Sequence, residues 1–188
     1  LAARHARIAL LDMDQEKLDE TAKKLAEKNG AEVRGYAADI TDEASTGTAF
    51  QKIYEDFGSV YGLINCAGIS HVAPLSQMPM DRWSAVMDVN VKGTVICCKI
   101  AGKYMAKNKA GRIINISSLA ATHGKPGYTA YTPSKAAING LTFTLAAEWA
   151  RMGINVNSVS PVMVVTDINR HQVESDPGYL PRICSTIP

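Results

Sequence analysis

The sequence predicts an α/β domain, a doubly wound parallel sheet with helices on both faces. Three observations predict it. Short apolar runs alternate with longer segments of helical character along the chain. Capping acids open the first two helical segments and glycines close them. Polar residues with chemical capacity (Asp12, Asp39, Asn65 and Ser118) each fall at or just past the C-terminal end of an apolar run. Ligands bind at that end of the strands in sheets of this kind.

Residues 7–12 form a short apolar run ending in an acid, the pattern of a buried parallel strand. Asp14 is placed to cap a helix over about 15–29, which Gly30 stops. A second strand covers 32–38 and leads into Asp39-Ile40. Thr41 or Asp42 caps a helix running to about Phe57, stopped by Gly58, and a third strand spans 60–64. A loop bearing Pro74 and Pro79 precedes a long helix over about 80–108. The fourth strand is 111–117, with 112–116 as its core. A loop over 120–130 leads to a helix over about 131–152, and 154–160 is the fifth strand. No repeat or low-complexity segment interrupts this order.

At 188 residues the chain makes one domain with a substantial core. A net charge of +2 with scattered lysines and arginines gives no pull toward nucleic acid or a membrane surface. No apolar run approaches the ~20 residues that span a bilayer. The four cysteines (Cys66, Cys97, Cys98 and Cys184) have neither C-x-x-C spacing nor a disulfide framework, and the start carries no secretory pattern. Both point to a reducing, cytoplasmic setting. The four histidines show no metal-ligand spacing, so no metal site is expected.

Tyr131 and Lys135 stand four apart in a predicted helix and so share a face. A phenol near pKa ~10 is a poor acid-base group at neutral pH, and a nearby ammonium lowers that value by favouring the phenolate. Ser118, arriving from a strand end, has a hydroxyl able to hydrogen-bond a substrate oxygen. Such a set moves a proton on or off an alcohol or carbonyl while a hydride moves elsewhere. The order of motifs adds to it: Asn65-Cys66-Ala67-Gly68 after an apolar strand, Asp88-Val89-Asn90 inside a helix, Ser118 thirteen residues before Tyr131, then Lys135.

On these residues the chain resembles the short-chain dehydrogenase/reductase family of NAD(P)-dependent oxidoreductases, with a single Rossmann-type domain over residues 1–188. The resemblance runs from Asp12 to Thr166. It implies Tyr131 as general acid/base, Lys135 lowering its pKa and binding the nicotinamide ribose, Ser118 positioning the reacting oxygen, and Asn90 completing a proton relay. On the cofactor side it implies Asp12 at the adenosine ribose, Asp39 and Ile40 at the adenine, and Asn65, Ala67 and Gly68 in a close turn. It further implies Pro161, Val164 and Thr166 near the nicotinamide carboxamide. Each has a plainer reading as well: Asp12 as a strand end, Asp39 and Ser118 as local caps, residues 65–68 as an ordinary turn, Asn90 as a solvated helix residue.

An acid at Asp12 with no arginine after it favours NAD over NADP, because a 2′-phosphate would be repelled there. Val162 stands where the family has glycine, which questions the backbone path, since valine does not readily take positive φ. The family opens with a strand and glycine-rich loop and ends with a further helix and strand, and neither is present. The expectation is therefore a fragment, with unpaired edges on the strands ending at Asp12 and Ile64. Residues 167–188 read as a substrate lid. The helices 80–108 and 131–152 carry surplus apolar positions, among them Val86, Val95, Ile96 and Ile100, then Leu141, Phe143, Leu145 and Trp149. These suit a homodimer or homotetramer as well as a core. The expected substrate is a small secondary alcohol or ketone: a polyol, sugar acid or 3-oxoacyl thioester. The competing reading is a non-catalytic dinucleotide sensor or dimer partner. An intact Ser118-Tyr131-Lys135 set argues against it.

Overall fold

The computed structural model describes residues 1–162, 164–165 and 170–185. Strands and helices alternate as β1 (Ile8–Asp12), α1 (Gln15–Asn29), β2 (Val33–Ala37), α2 (Glu43–Phe57), β3 (Gly62–Asn65), α3 (Met80–Met87), α4 (Thr94–Asn108), β4 (Gly111–Ile116), α5 (Tyr131–Trp149) and β5 (Ile154–Val159). The short helices α6 (Arg170–Ser175) and α7 (Tyr179–Cys184) follow. The Asp14 and Asp42 side chains accept from Lys17 N and Ala44 N, capping α1 and α2, and Gly30 and Gly58 close both in the left-handed conformation.

All pairings are parallel. β1 runs beside β2 from Ile8↔Val33 to Asp12↔Ala37. β4 is central to a second group, pairing with β3 from Gly62↔Arg112 and with β5 from Gly111↔Ile154. Among the described residues no pairing joins β1 to β3, so the strands form two parallel sheets flanked by helices. β1 is only half-buried along most of its length, and Ile64 in β3 is exposed. These edges lie where the sequence places them.

One long helix was expected over 80–108. The backbone stays helical throughout, but Asp88–Gly93 takes the wider π spacing between α3 and α4. The first helix of the C-terminal segment starts at Arg170, so the span expected as a lid contains α6 and α7. The main core lies between α2, α4, α5 and the sheet. Ala101, Met105, Ile113 and Ile154 are sealed from solvent there. Val86, Ile96, Ile100 and Leu145, possible interface positions in the sequence, are buried within the chain itself.

Candidate active site

β4 and α5 set the geometry. Three bonds pin α5 to the end of β4. The Lys135 ammonium donates to the Ile116 carbonyl at 2.8 Å, the Ser117 hydroxyl donates to the Lys135 carbonyl at 3.1 Å, and Asn115 Nδ2 donates to Thr142 Oγ1 at 3.0 Å. Asn115 Oδ1 in turn accepts from Asn65 Nδ2 at 2.8 Å, which ties β3 into the same buried network. Sequence alone does not separate Ser117 from Ser118, and the structure does. Ser117 faces inward onto the helix backbone, whereas Ser118 caps the following turn through Ala120 N and lies close enough to Tyr131 to act on its phenol.

Tyr131 opens α5, half-buried, with its ring edge-on to Tyr128 at 5.6 Å between centroids. Lys135 Nζ lies 5.7 Å from the centre of the Tyr131 ring. Here the electrostatics depart from expectation. Burial pushes the Tyr131 phenol above its ordinary value, the Ser118 hydrogen bond pulls against it, and the Tyr128 phenol adds to the rise. The Lys135 ammonium is not among the groups that act on the phenol; it donates one hydrogen to the Ile116 carbonyl. Burial also lowers the Lys135 pKa, offset in part by the nearby Cys66 thiol.

Asn90 sits in the π turn, 1% exposed, and is not a solvated residue. Its Oδ1 accepts from Ile69 N at 2.8 Å, and its Nδ2 donates to Ile69 O and Ser134 Oγ, each at 3.0 Å. A Cβ at Gly68 would stand 3.2 Å from Asn90 Oδ1, a tight contact, and 3.6 Å from Lys135 Nζ, an ordinary one. The glycine thus lets the turn after β3 pack closely on the Asn90 carboxamide.

The remaining candidate residues divide. Asp12 is exposed at the end of β1, with Oδ1 accepting from Asp14 N at 3.2 Å. Asp39 is exposed, and its Oδ1 accepts from both the backbone and the hydroxyl of Thr41, which holds its carboxyl below the usual range. Ile40 is half-buried and packs toward the π turn, where a Cβ on Gly93 would meet its Cδ1 at 2.7 Å. The Asn65 carboxamide is committed inward, to Asn115 and Cys98, while Ala67 is exposed. The Pro161 carbonyl accepts from Leu119 N at 3.0 Å, and Val164 is exposed. Val162 does not adopt positive φ; among the described residues only His5 and Lys109 do so without being glycine. The path there therefore does not demand glycine. Thr166 lies outside the described residues. Among the described residues no cluster of His, Cys, Asp or Glu is able to hold a metal ion, and no helix is long and apolar enough to cross a membrane.

Sequence reasoning missed Ser134, Asn115 and Thr142. Their one signal was polarity inside otherwise apolar stretches.

Comparison with known proteins adds to this geometry. The model of a family described as short chain dehydrogenase matches residues 1–177. The chain is 35% identical over 167 residues to a D-threitol dehydrogenase of Mycolicibacterium smegmatis, covering 89% of this chain and 64% of that protein. It is 36% identical over 143 residues to a 3-oxoacyl-[acyl-carrier-protein] reductase of Synechocystis, covering 76% and 58%. It thus spans less than two thirds of the length of both. Among solved structures, an NAD+-bound xylitol dehydrogenase superposes with TM-score 0.92 at 33% identity, over 100% of this chain and 77% of the other. A gluconate 5-dehydrogenase from Burkholderia cenocepacia, in complex with NADP and tartrate, gives TM-score 0.89 at 29% identity over 96% and 73%.

Proposed function

Because the chain belongs to the short-chain dehydrogenase family, we propose that it serves an NAD(P)-dependent oxidoreductase interconverting a secondary alcohol and a ketone, with Tyr131 as general acid/base. The observation that carries this reading is the convergence of Ser118, Tyr131 and Lys135 where β4 ends and α5 begins, the lysine ammonium 5.7 Å from the centre of the phenol ring. A nicotinamide coenzyme, when bound, supplies or accepts the hydride. The chain's own residues handle the proton. Tyr131 gives it to the carbonyl oxygen in reduction and takes it from the alcohol in oxidation. Ser118 holds the reacting oxygen. Lys135, fixed by Ile116, keeps a positive charge beside the ring, and Asn90 completes the path for the proton.

The residues present fit a dinucleotide. Gly68 leaves open approach beside Lys135, and exposed carboxylates stand at the ends of β1 (Asp12) and just after β2 (Asp39). Asp12 favours NAD, since its charge repels a 2′-phosphate. The similarity to a D-threitol and a xylitol dehydrogenase supports a short polyol as substrate over a sugar acid or an acyl thioester. A homo-oligomer through α4 and α5 fits the same picture. Val95 is exposed there at an open groove of about 450 Å³ lined also by Gly102, Leu141, Trp149 and Met152, and Phe143 is exposed on α5.

The test is turnover by the full chain with NAD+ or NADP+ against tetritols, pentitols, gluconate and a 3-hydroxyacyl thioester, followed by reduced-nicotinamide absorbance. The expected result is oxidation of a polyol with NAD+ preferred. Turnover of none of them, with either coenzyme, would overturn the reading.

A further inference from the structure

We propose that Ser134 is a positioning residue that locks the Tyr131–Lys135 helix to the coenzyme-side turn through Asn90, an inference that rests on the function proposed above. Ser134 is wholly buried, on the inner side of the first turn of α5, between the two residues of the pair. Its hydroxyl meets two groups: it accepts from Asn90 Nδ2 at 3.0 Å and donates to the Tyr131 carbonyl at 2.7 Å.

The direction of every bond in this joint is determined. Asn90 Oδ1 takes the Ile69 N–H, and Nδ2 gives one hydrogen to the Ile69 carbonyl. A flipped amide would set an NH2 against an N–H and an oxygen against an oxygen, so the Ile69 backbone fixes the orientation. The second Nδ2 hydrogen then has Ser134 as its acceptor. A hydroxyl that accepts from an amide must send its single proton elsewhere, and it goes to Tyr131. The resulting chain runs from the backbone after Gly68, through the π turn, to the backbone of the phenol-bearing residue. It joins three segments that are far apart in sequence, on the side where Gly68 approaches Lys135.

A second consequence concerns the π turn. Its wider spacing at Asp88–Gly93 gives the Asn90 side chain its inward position, and the Asn90 carbonyl is itself occupied by Thr94 Oγ1 at 2.8 Å. Ser134 gives that bulge its hydrogen-bonded hold on α5. Alanine at 134 would leave a buried amide hydrogen unpaired and free α5 from the loop, although alanine favours the helix itself.

The test uses the full chain carrying Cζ-labelled tyrosine, the Tyr131 resonance being assigned through Tyr131→Phe. Ser134→Ala, Asn90→Ala and the double variant are compared for the titration of Tyr131 and for NAD+ binding. The expected result is a Tyr131 titration moved toward the ordinary tyrosine value in both single variants, and NAD+ binding weakened about three- to tenfold. The double variant should show no further change, and Ser134→Thr, which keeps the hydroxyl, should restore the wild-type titration. Additive effects, or an unmoved titration in Ser134→Ala, would overturn the proposal. If Ser134→Ala does not fold, Ser134→Cys carries the same comparison. A chain that binds no NAD+ would refute the function proposed above, while the Tyr131 titrations would still decide the role of Ser134.

Discussion

At residue scale the two adjacent serines, Ser117 and Ser118, show how one step along the chain separates structure from chemistry. Both lie just past the end of β4 and take different partners. Ser117 is used up by the Lys135 carbonyl, while Ser118 meets the Tyr131 hydroxyl. Ser117→Ala should therefore cost about 1 kcal/mol of stability, the usual net worth of a buried hydrogen bond. Ser118→Ala should cost about 1 kcal/mol through the lost cap on Ala120 N and, unlike Ser117→Ala, lower kcat about 10²-fold or more. The reverse pattern in turnover measurements would exchange their roles. The sequence led to Ser118 only by its thirteen-residue spacing from Tyr131. Nothing local revealed that Lys135, on α5, donates to the Ile116 carbonyl at the end of β4. Ser134 was invisible for the same reason. A buried polar group takes its meaning from partners dozens of residues away.

At element scale the caps, stops and apolar runs were legible because they are local. Asp14, Gly30, Asp42 and Gly58 do what their residue types dictate. The π turn was legible only in part: Asn90 and Gly93 are poor helix formers, but nothing in the composition of Asp88–Gly93 specifies the wider spacing. The tie between β2 and α2 was missed as well. Tyr36, nearly sealed, donates to Asp56 at 2.7 Å across the two elements. Burial first, then this carboxylate, pushes its phenol from 10.0 up to about 12. The folded chain thus keeps a proton that the unfolded chain releases near pH ~10. The contribution is complete below pH ~10 and is lost as pH rises toward 12. Urea midpoints of the wild type should fall over that window, and those of Tyr36→Phe should fall less. Equal slopes would mean that this bond contributes nothing.

At the scale of the whole molecule, strand order and parallel pairing followed from the alternation of elements, because a crossover helix between successive strands leaves few other arrangements. The separation into two parallel sheets places exposed edges on β1 and β3, beside the residues proposed to meet the coenzyme. What the sequence did not divide was core from interface. In α4 and α5, periodicity alone treats Ile96 and Val95 alike, yet the first is buried and the second exposed. Phe143, 71% exposed on α5, is the position that tests the proposed homo-oligomer. Phe143→Glu should convert an oligomer of the full chain to a smaller species in sedimentation, without loss of folding. An unchanged sedimentation coefficient would place the interface elsewhere.

The central claim is that Tyr131 carries the proton. Its most direct test is kcat of the full chain with Tyr131→Phe, measured beside NAD+ affinity. The account predicts a fall of about 10²–10⁴-fold in kcat with NAD+ binding little altered. A variant that retains wild-type turnover would contradict it.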